Sequence, residues 1–367
     1  MEDVARSELE EISKVVVESV EAGKVFFKAG IEAMYSLNFS ARTVNKLYLL
    51  LAREEFESLE DIYRIAKSID YTEIINPWNT FAVRSERLGN HNFTSIDVRR
   101  VVGQAVIESY LSSRSTRLKV NLTNPDIEIV VFIRFNEVLI GVNTTGESLH
   151  RRWYRVYNHP AALKTTIAAA MLRIGRYGGQ PLLDPLCGGA TIPIEAAHSA
   201  RKYPLLIFRY GYTYRKLPLH DPATEREEAL KLLERVDPSV YEICCMEISP
   251  KHLKGAVENA KSARVLNTIS FLNRDSTRVE SHRELNVELI VTNPPYGMRS
   301  HNLKKIGLFY ESLLKTLREV YSGVRLVAIT ASMSQFEEAC EKLGIKLEHS
   351  RRVMHGGLPA KIYSLVL

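Results

Sequence analysis

One segment of this chain leaves few choices of fold. Pro181–Leu183 is a short apolar run that ends in Asp184-Pro185-Leu186-Cys187-Gly188-Gly189-Ala190-Thr191, and a helical stretch over Ile192–Arg201 follows. Strand, glycine turn and helix in immediate succession form the opening βα unit of a nucleotide-binding α/β sheet. Glycines let the backbone pass close to a ligand there, and the helix start offers free N–H groups. The turn is not Gly-x-Gly-x-x-Gly, so the usual dinucleotide fingerprint is missing. A purely structural βα turn is the alternative.

The alternation extends on both sides. Pro160–Ile174 reads as a helix with Ala162, Leu163, Thr166, Ile167, Ala170 and Met171 on one face. Its first residues, Pro160, Ala161 and Leu163, would sit near whatever the next strand presents. Downstream, Tyr241–Met246 is a strand ending at Glu247, and Pro250 suits the first turn of a helix over Pro250–Ser262. Thr268–Leu272 is a third strand with Asp275-Ser276 just beyond it, and Val287–Val291 a fourth. A helix (Leu303–Tyr321), a strand (Val324–Thr330), a helix (Ser334–Leu343) and a hairpin (Ile345–Met354, Ile362–Leu367) close the chain. An acid at the second strand end is the expected acceptor for two ribose hydroxyls, which assigns Glu247, and Asp275 could accept from an adenine amine. Each acid alone is more often a surface residue; both at successive strand ends is a stronger pattern. Tyr203–Ser239 interrupts the alternation, with a helix over Thr224–Val236. Its stretch Phe208–Lys216 interleaves aromatics with cations, as suits a loop touching phosphates and bases or a packed surface excursion.

The fourth strand runs into Thr292-Asn293-Pro294-Pro295-Tyr296-Gly297. Two prolines have fixed φ and no N–H, so their carbonyls stay free as acceptors. A planar amino group could be held by those oxygens and by Asn293, with Tyr296 as a flat face for a base. Asn-Pro is also a common turn initiator, so a plain strand-to-loop turn fits the same residues.

The first half has a different character. Residues 3–13 read as a helix, Lys14–Ser19 and Lys24–Ala29 as strands, Ile31–Leu37 as a helix, Thr43–Ala52 as a strand and Ser58–Lys67 as a helix capped by Ser58 with Asp61. This order suggests a small α+β unit of ferredoxin-like type, without a visible strand ahead of Val4. Trp78–Gly103 then combines a strand around Phe81, Val83 and Ser85 with a helix that Ser95 would cap. Arg84, Arg87, His91, Arg99 and Arg100 gather at their junction, as a nucleic-acid contact or a solvated charged face. Leu118–Leu122, Ile127–Phe135 and Glu137–Asn143 read as strands, and 148–158 as a polar, basic and aromatic linker.

Charge follows this division. Residues 1–78 carry 9 Lys and Arg against 15 Asp and Glu, whereas 151–367 carry 32 against 21 and Asn79–Asn124 carry 7 against 3. A polyanionic partner fits the asymmetry. No apolar run reaches the ~18 residues of a membrane helix, and Met1-Glu2-Asp3-Val4 lacks the pattern of a signal peptide. Cys187, Cys244, Cys245 and Cys340 show no Cys-x-x-Cys spacing, which argues against a zinc site or disulfide framework and favours a reduced, cytoplasmic setting.

Two resemblances sharpen these expectations. Trp78-Asn79-x-Phe81-Ala82-Val83-Arg84-x-x-Arg87, His91 and Ser95-x-Asp97-Val98-x-Arg100-x-Val102-Gly103-x-Ala105-Val106 resemble the THUMP domain, an RNA-binding module, over about 60–147. That resemblance implies a grip on the single-stranded 3′ end of a tRNA acceptor arm. The ordered set Asp184, Gly188-Gly189, Glu247, Asp275 and Asn293-Pro294-Pro295-Tyr296 resembles S-adenosylmethionine-dependent amino-group methyltransferases. Together, nearly the whole chain resembles the THUMP-containing tRNA or rRNA guanine-N2 methyltransferases. Asn-Pro-Pro-Tyr in place of Asp-Pro-Pro-Tyr points toward archaeal members that form N2-methylguanosine at tRNA position six, in the acceptor stem.

The implied organisation is a ferredoxin-like unit (1–59), a THUMP domain (60–147), a linker (148–158) and a Rossmann-like methyltransferase domain (159–367) with a mostly parallel sheet and a C-terminal antiparallel hairpin. The implied cofactor is S-adenosylmethionine, held by Pro160, Ala161, Leu163, Asp184, Cys187, Gly188, Gly189, Ala190, Thr191, Glu247, Asp275, Ser276 and Asn293. Asn293, Pro294 and Tyr296 would act on the amine, Arg84, Arg87, His91, Arg99 and Arg100 on tRNA, and no metal or obligate protein partner is implied. Alternatives are action at another tRNA position or on rRNA, an adenine-N6 enzyme on DNA, and a non-catalytic RNA-binding protein.

Overall fold

The computed structural model describes residues 1–204, 207, 209–297 and 303–367. Phe208, part of the aromatic-cationic stretch, lies outside them. In chain order the elements are α1 (Glu2–Ile12), β1 (Val16–Glu21), β2 (Lys24–Lys28), α2 (Glu32–Ser40), β3 (Tyr48–Glu55), α3 (Leu59–Ser68), β4 (Thr80–Leu88), α4 (Ser95–Arg114), β5 (Lys119–Val120), β6 (Ile127–Arg134) and β7 (Glu137–Asn143). They continue as α5 (Thr165–Ile174), β8 (Leu182–Asp184), α6 (Thr191–Ala200), α7 (Pro222–Glu234), β9 (Ile243–Met246), α8 (Pro250–Ser262), β10 (Ile269–Leu272), β11 (Leu289–Thr292), α9 (Leu303–Val320), β12 (Arg325–Thr330), α10 (Met333–Lys342), β13 (Leu347–His355) and β14 (Leu358–Val366).

The chain forms two compact units. One comprises Met1–Asn45, His150–Ile207 and Leu230–Leu367; the other comprises Lys46–Leu149 and Phe208–Ala229. The first is built on a seven-stranded sheet of order β10-β9-β8-β11-β12-β14-β13. Strands β8 to β12 are parallel, and β14 runs antiparallel to both β12 and β13. Buried side chains such as Leu183, Ile290, Tyr310, Leu314, Leu326, Phe336, Tyr363 and Leu365 form one continuous core cluster there. Strand order reverses between β8 and β11, where Leu182 pairs with Leu289 and Leu183 with Ile290. The crevice beyond the carboxyl ends of two such strands is where ligands bind in open α/β sheets. The terminal hairpin turns on Gly356 and Gly357 at φ 58° and 83°, between paired His355 and Leu358. Two consecutive positive-φ positions suit a primed hairpin turn and favour glycine at both.

The second unit holds a five-stranded sheet of order β3-β7-β6-β4-β5, with α3 packed on α4 and α4 on β4. Its helices carry full capping boxes. Ser58 and Asp61 exchange bonds at α3, as expected. At α4 the cap is Thr94 rather than Ser95, because Thr94 Oγ1 accepts from the Asp97 N–H at 3.3 Å and the Asp97 carboxylate accepts from Thr94 N–H at 2.9 Å.

Three further expectations shift. The helix foreseen from Pro160 begins at Thr165, and Lys164 before it is extended, at φ −64° and ψ 127°. The strand foreseen over Leu118–Leu122 shrinks to Lys119–Val120. The strand foreseen over Thr43–Ala52 runs from Tyr48 to Glu55 and pairs with β7, not with the two-stranded β1–β2 sheet. The buried Glu8 carboxylate explains the delayed start: it takes the N–H of Arg42 at 3.0 Å and of Thr43 at 2.8 Å, bonds a strand would have needed for its ladder. Within residues 1–59 β1 and β2 pair with each other, while β3 joins the five-stranded sheet.

Candidate active site at the carboxyl ends of the strands

At the end of β8, Asp184 is buried, and its Oδ1 accepts from Thr292 Oγ1 at 2.9 Å and from Leu186 N–H at 3.2 Å. Burial raises its pKa to about 7, with the nearby Glu247 charge adding to the effect. Asp184 thus ties β8 to the last residue of β11. Behind it the turn folds back on β9, as Cys187 N–H donates to Met246 O at 2.9 Å. Burial, with the adjoining Cys245 thiol, holds the Cys187 thiol well above its usual range. Gly188 sits at φ 53°, and a Cβ on it would lie 3.2 Å from the His159 ring. Ala190, also left-handed at φ 59°, leads into α6 at Thr191.

Glu247 is positioned by the same turn. Its Oε2 accepts from Gly188 N–H at 3.1 Å and its Oε1 from Ser249 N–H at 2.8 Å. Each oxygen keeps a further lone pair, so the carboxylate can still receive a pair of hydroxyl donors. Asn273 joins the third strand end to the second, its Nδ2 donating to Glu247 O at 2.7 Å and Ile248 O at 3.0 Å. Ile248 beside it is exposed, an apolar surface next to an acid. Asp275 accepts from Thr277 N–H at 3.0 Å and Thr277 Oγ1 at 2.7 Å. Burial alone would raise its pKa; the Thr277 bonds and Arg278 outweigh it, and the group stays ionised below the ordinary Asp range. Ser276 is buried, with its carbonyl accepting from His282 Nε2 at 2.8 Å.

The segment before α5 folds over this turn. Arg155 donates to Leu163 O at 2.8 Å and to Thr191 Oγ1 at 3.1 Å. Asn259, buried in α8, accepts from Tyr157 N–H at 2.8 Å and donates to Tyr157 O at 3.1 Å and Gly189 O at 2.9 Å. Pro160, Ala161 and Leu163 therefore reach the site on an irregular strand, not on a helix start. His159 stands edge-on to His252, ring centroids 4.4 Å apart, and Tyr157 Oη bonds His252 Nδ1 at 2.6 Å. Arg155, Asn259 and Asn273 were not foreseen. Asn259 alone carried a legible signal, a polar residue on the face that Ala256 and Ala260 bury.

Beyond β11, Asn293 Nδ2 donates to Ala161 O at 3.4 Å, and its Oδ1 accepts from Tyr296 Oη at 2.7 Å. The Pro295 carbonyl accepts from Tyr310 Oη at 2.7 Å and the Tyr296 carbonyl from Ser332 Oγ at 2.6 Å. The Pro294 carbonyl takes no hydrogen bond from the described residues. Tyr296 is half-buried, its phenol held above its usual range by desolvation. Contacts thus link Gly188 with Glu247, Asp184 with Thr292, and Ala161 with Asn293.

In the second unit the foreseen cations divide. Arg84 pairs with Glu128 at 3.4 Å and donates to Leu122 O at 2.8 Å. Arg87 donates to Gly89 O at 3.0 Å and meets His91 Nδ1 at 2.9 Å; His91 Nε2 bonds Phe135 O at 2.5 Å while its ring stacks on Phe93. These three hold the strand and loop together. Arg99 and Arg100 are exposed on α4, with only local bonds to Ser95 O and Asp97.

This geometry has relatives. The RMKL-like methyltransferase domain matches residues 152–361 and the THUMP domain residues 56–143. The chain is 37% identical to the tRNA (guanine(6)-N2)-methyltransferase of Methanocaldococcus jannaschii, over 100% of this chain and 97% of that one. It is 41% identical to the enzyme of the same name from Archaeoglobus fulgidus, over 99% and 88%. The chain belongs to the THUMP-containing tRNA (guanine-N2)-methyltransferases. Ribosomal RNA large subunit methyltransferase K/L of Buchnera aphidicola is 29% identical over 84% of this chain, but only 45% of that enzyme is spanned. A possible methylase from Clostridium difficile 630 has the same fold, with a TM-score of 0.87 at 24% identity and 100% and 95% coverage. Among the described residues no cluster of His, Cys, Asp and Glu could hold a metal, and no helix is long and apolar enough to cross a membrane.

Proposed function

We infer that this protein methylates the exocyclic N2 amine of a guanosine in tRNA, using S-adenosylmethionine, at position six of the acceptor stem. One observation carries the chemistry: at consecutive positions past β11, Asn293 Oδ1 accepts from Tyr296 Oη and keeps a lone pair, and the Pro294 carbonyl takes no bond from the described residues, while the neighbouring Pro295 and Tyr296 carbonyls are engaged elsewhere. A planar amine has two hydrogens to give, and this pair of oxygens matches them. Full-length similarity to two archaeal tRNA (guanine(6)-N2)-methyltransferases supports the substrate. An rRNA substrate has weaker support, since the chain spans under half of the rRNA enzyme.

The donor set fits the cofactor. Glu247 keeps lone pairs for the ribose hydroxyls, Asp275 is an ionised acceptor for the adenine amine, and Gly188, Gly189, Ala190 and Thr191 keep side chains small at the turn. Asp184 and Cys187 shape that turn from behind, Ser276 fixes the Asp275 loop, and Pro160, Ala161, Leu163 and Asn293 close the other side. When bound, S-adenosylmethionine supplies an electrophilic methyl group.

The chain's own residues then act on the amine. Guanine's N2 lone pair is delocalised into the ring and is a poor nucleophile. Asn293 and Pro294 draw its two hydrogens into one plane of acceptors and favour a pyramidal nitrogen. Holding reactants in a near-attack arrangement contributes up to ~7–11 kcal/mol in favourable intramolecular systems. A base inside a duplex must leave the stack, at a cost of about a few kcal/mol, and Tyr296 offsets part of this by stacking. The THUMP domain binds the tRNA 3′ end, through Arg99 and Arg100 foremost.

The test is methylation of a tRNA transcript with the product mapped by mass spectrometry. N2-methylguanosine at position six is expected, and a methyl group elsewhere would replace the site assignment. Asn293→Ala should abolish turnover while S-adenosylmethionine still binds in calorimetry.

A further inference from the structure

Asn293 Oδ1, the acceptor the amine needs, already receives the Tyr296 hydroxyl at 2.7 Å. That hydroxyl has a second neighbour, His355 Nδ1, at 3.4 Å, with the two rings nearly perpendicular at 85°. His355 stands at the end of β13, immediately before the Gly356-Gly357 turn. The Ala162 backbone also favours the protonated ring. In the neutral tautomer with its proton on Nε2, His355 turns a lone pair on Nδ1 toward Tyr296. The same segment supplies Ala161 O to Asn293 Nδ2. Three separate pieces of chain thus meet around one phenolic proton: the loop after β11, the end of the terminal hairpin and the strand before α5.

We propose that His355 is a positioning residue that takes over the Tyr296 hydroxyl when the guanine amine occupies Asn293. The hydroxyl rotates its proton from Asn293 Oδ1 to His355 Nδ1, and the Asn293 oxygen is released to the substrate at full strength. A buried phenol without an acceptor is costly, so without His355 the hydroxyl would compete with the amine for Asn293. The proposal rests on the assignment of Asn293 as the amine's acceptor. It also gives a reason for the glycine pair: a two-residue turn fixes the height of the residue before it.

The arrangement requires a neutral ring. Burial lowers the pKa of His355 below its usual 6.5, outweighing the Ala162 bond, and Lys164 and Arg155 push in the same direction. Facing it are the Tyr296 phenol, which stays protonated, and those two cations. Activity should fall as pH drops through a value below 6.5, because a protonated Nδ1 cannot accept.

The experiment measures kcat at saturating tRNA and S-adenosylmethionine for His355→Ala, His355→Asn, Tyr296→Phe and the His355→Ala/Tyr296→Phe double variant of the full chain. His355→Ala should lose about tenfold in kcat, the worth of one hydrogen bond, with cofactor affinity and melting temperature unchanged. His355→Asn, whose amide oxygen can accept, should recover part of this and lack the acidic limb of the pH profile. In the Tyr296→Phe background, His355→Ala should cost nothing further, since the shared hydroxyl is gone. Additive losses, or an acidic limb that persists in His355→Asn, would overturn the proposal. Wild-type kcat in His355→Ala beside an inactive Asn293→Ala would overturn the histidine's role alone. An active Asn293→Ala would instead remove the site assignment on which it rests.

Discussion

Single residues at this site are held by bonds whose energetics can be read directly. Asp184 is the plainest case. Its carboxyl is fully enclosed, and its pKa rises from near 3.8 to about 7. Between those values the unfolded chain has lost the proton and the folded chain has kept it. Folding therefore binds a proton, and stability falls as pH rises through this window; above about 7 both states are ionised and the full penalty stands. Asp184→Asn carries no charge at any pH and can still accept from Thr292 and Leu186. Its stability relative to the parent should grow from pH 5 to pH 8, by about a few kcal/mol at most. Urea midpoints across that range measure the gap, and a gap that stays constant would show that the carboxylate ionises without cost. A second residue acts in the opposite sense. Glu195 is buried between Arg152 at 3.0 Å and Arg42 at 3.8 Å, and also accepts from Tyr154 Oη at 2.8 Å. Although burial alone would raise its pKa, the Arg152 pairing wins and lowers it. Glu195→Gln would leave two enclosed guanidinium groups without the carboxylate they pair with, and a loss on the order of 3–5 kcal/mol is expected in denaturant titrations at pH 7.

At the scale of elements, the sheet was legible wherever pattern and period agreed. Strands β8 to β12 read as apolar runs bounded by turn residues, and α8 begins and ends at the residues the sequence indicated, because Pro250 and the Ser249 cap fix its start. The candidate acids and the Asn-Pro-Pro-Tyr loop could be singled out in the sequence because strand ends are short and chemically distinct. What escaped was set by long-range bonds. Nothing local marks Thr165 as the start of α5; the preceding segment is extended because Arg155 and Asn259 hold it over the glycine turn. Likewise Glu8, 34 residues away in sequence, delays β3. Three of the five cations assigned to RNA have partners in strand or loop backbone, and a motif match does not separate a contact residue from a brace. The clasp by Asn259 has a measurable consequence. Asn259→Ala removes three bonds that join Tyr157 and Gly189 and leaves enclosed backbone groups unpaired. The segment carrying Ala161 should loosen from the turn, and the dissociation constant for S-adenosylmethionine should rise about tenfold, in keeping with about 1–3 kcal/mol for enclosed groups left without partners. Calorimetry would read this directly; an unchanged constant would assign Asn259 to stability alone.

For the molecule as a whole, the two units differ in chemistry, one carrying the acids and acceptors of the strand ends and the other a helix, α4, that leaves Arg99 and Arg100 exposed. The stretch Asn79–Asn124 holds 7 Lys and Arg against 3 Asp and Glu, but its charges are not equivalent. Arg84 and Arg87 spend their donors on Glu128, Leu122, Gly89 and His91, whereas Arg99 and Arg100 stay exposed on α4 with one local bond each. Counterion release makes the salt slope of RNA binding a count of phosphates neutralised, and each contact removed lowers it by about 0.7–0.9. Replacing Arg99 and Arg100 together by Ala should weaken tRNA binding and reduce the slope by about 1–2, while the melting temperature and S-adenosylmethionine affinity hold. Arg87→Ala should do the reverse: it unties His91 from the loop, lowers the melting temperature, and leaves the slope nearly as it was. Filter binding at several salt concentrations separates the two outcomes. If the double variant keeps both affinity and slope, the RNA surface of this unit lies elsewhere, and Arg114, Arg117 and Lys119, at the far end of α4 and the start of β5, become the next cations to remove.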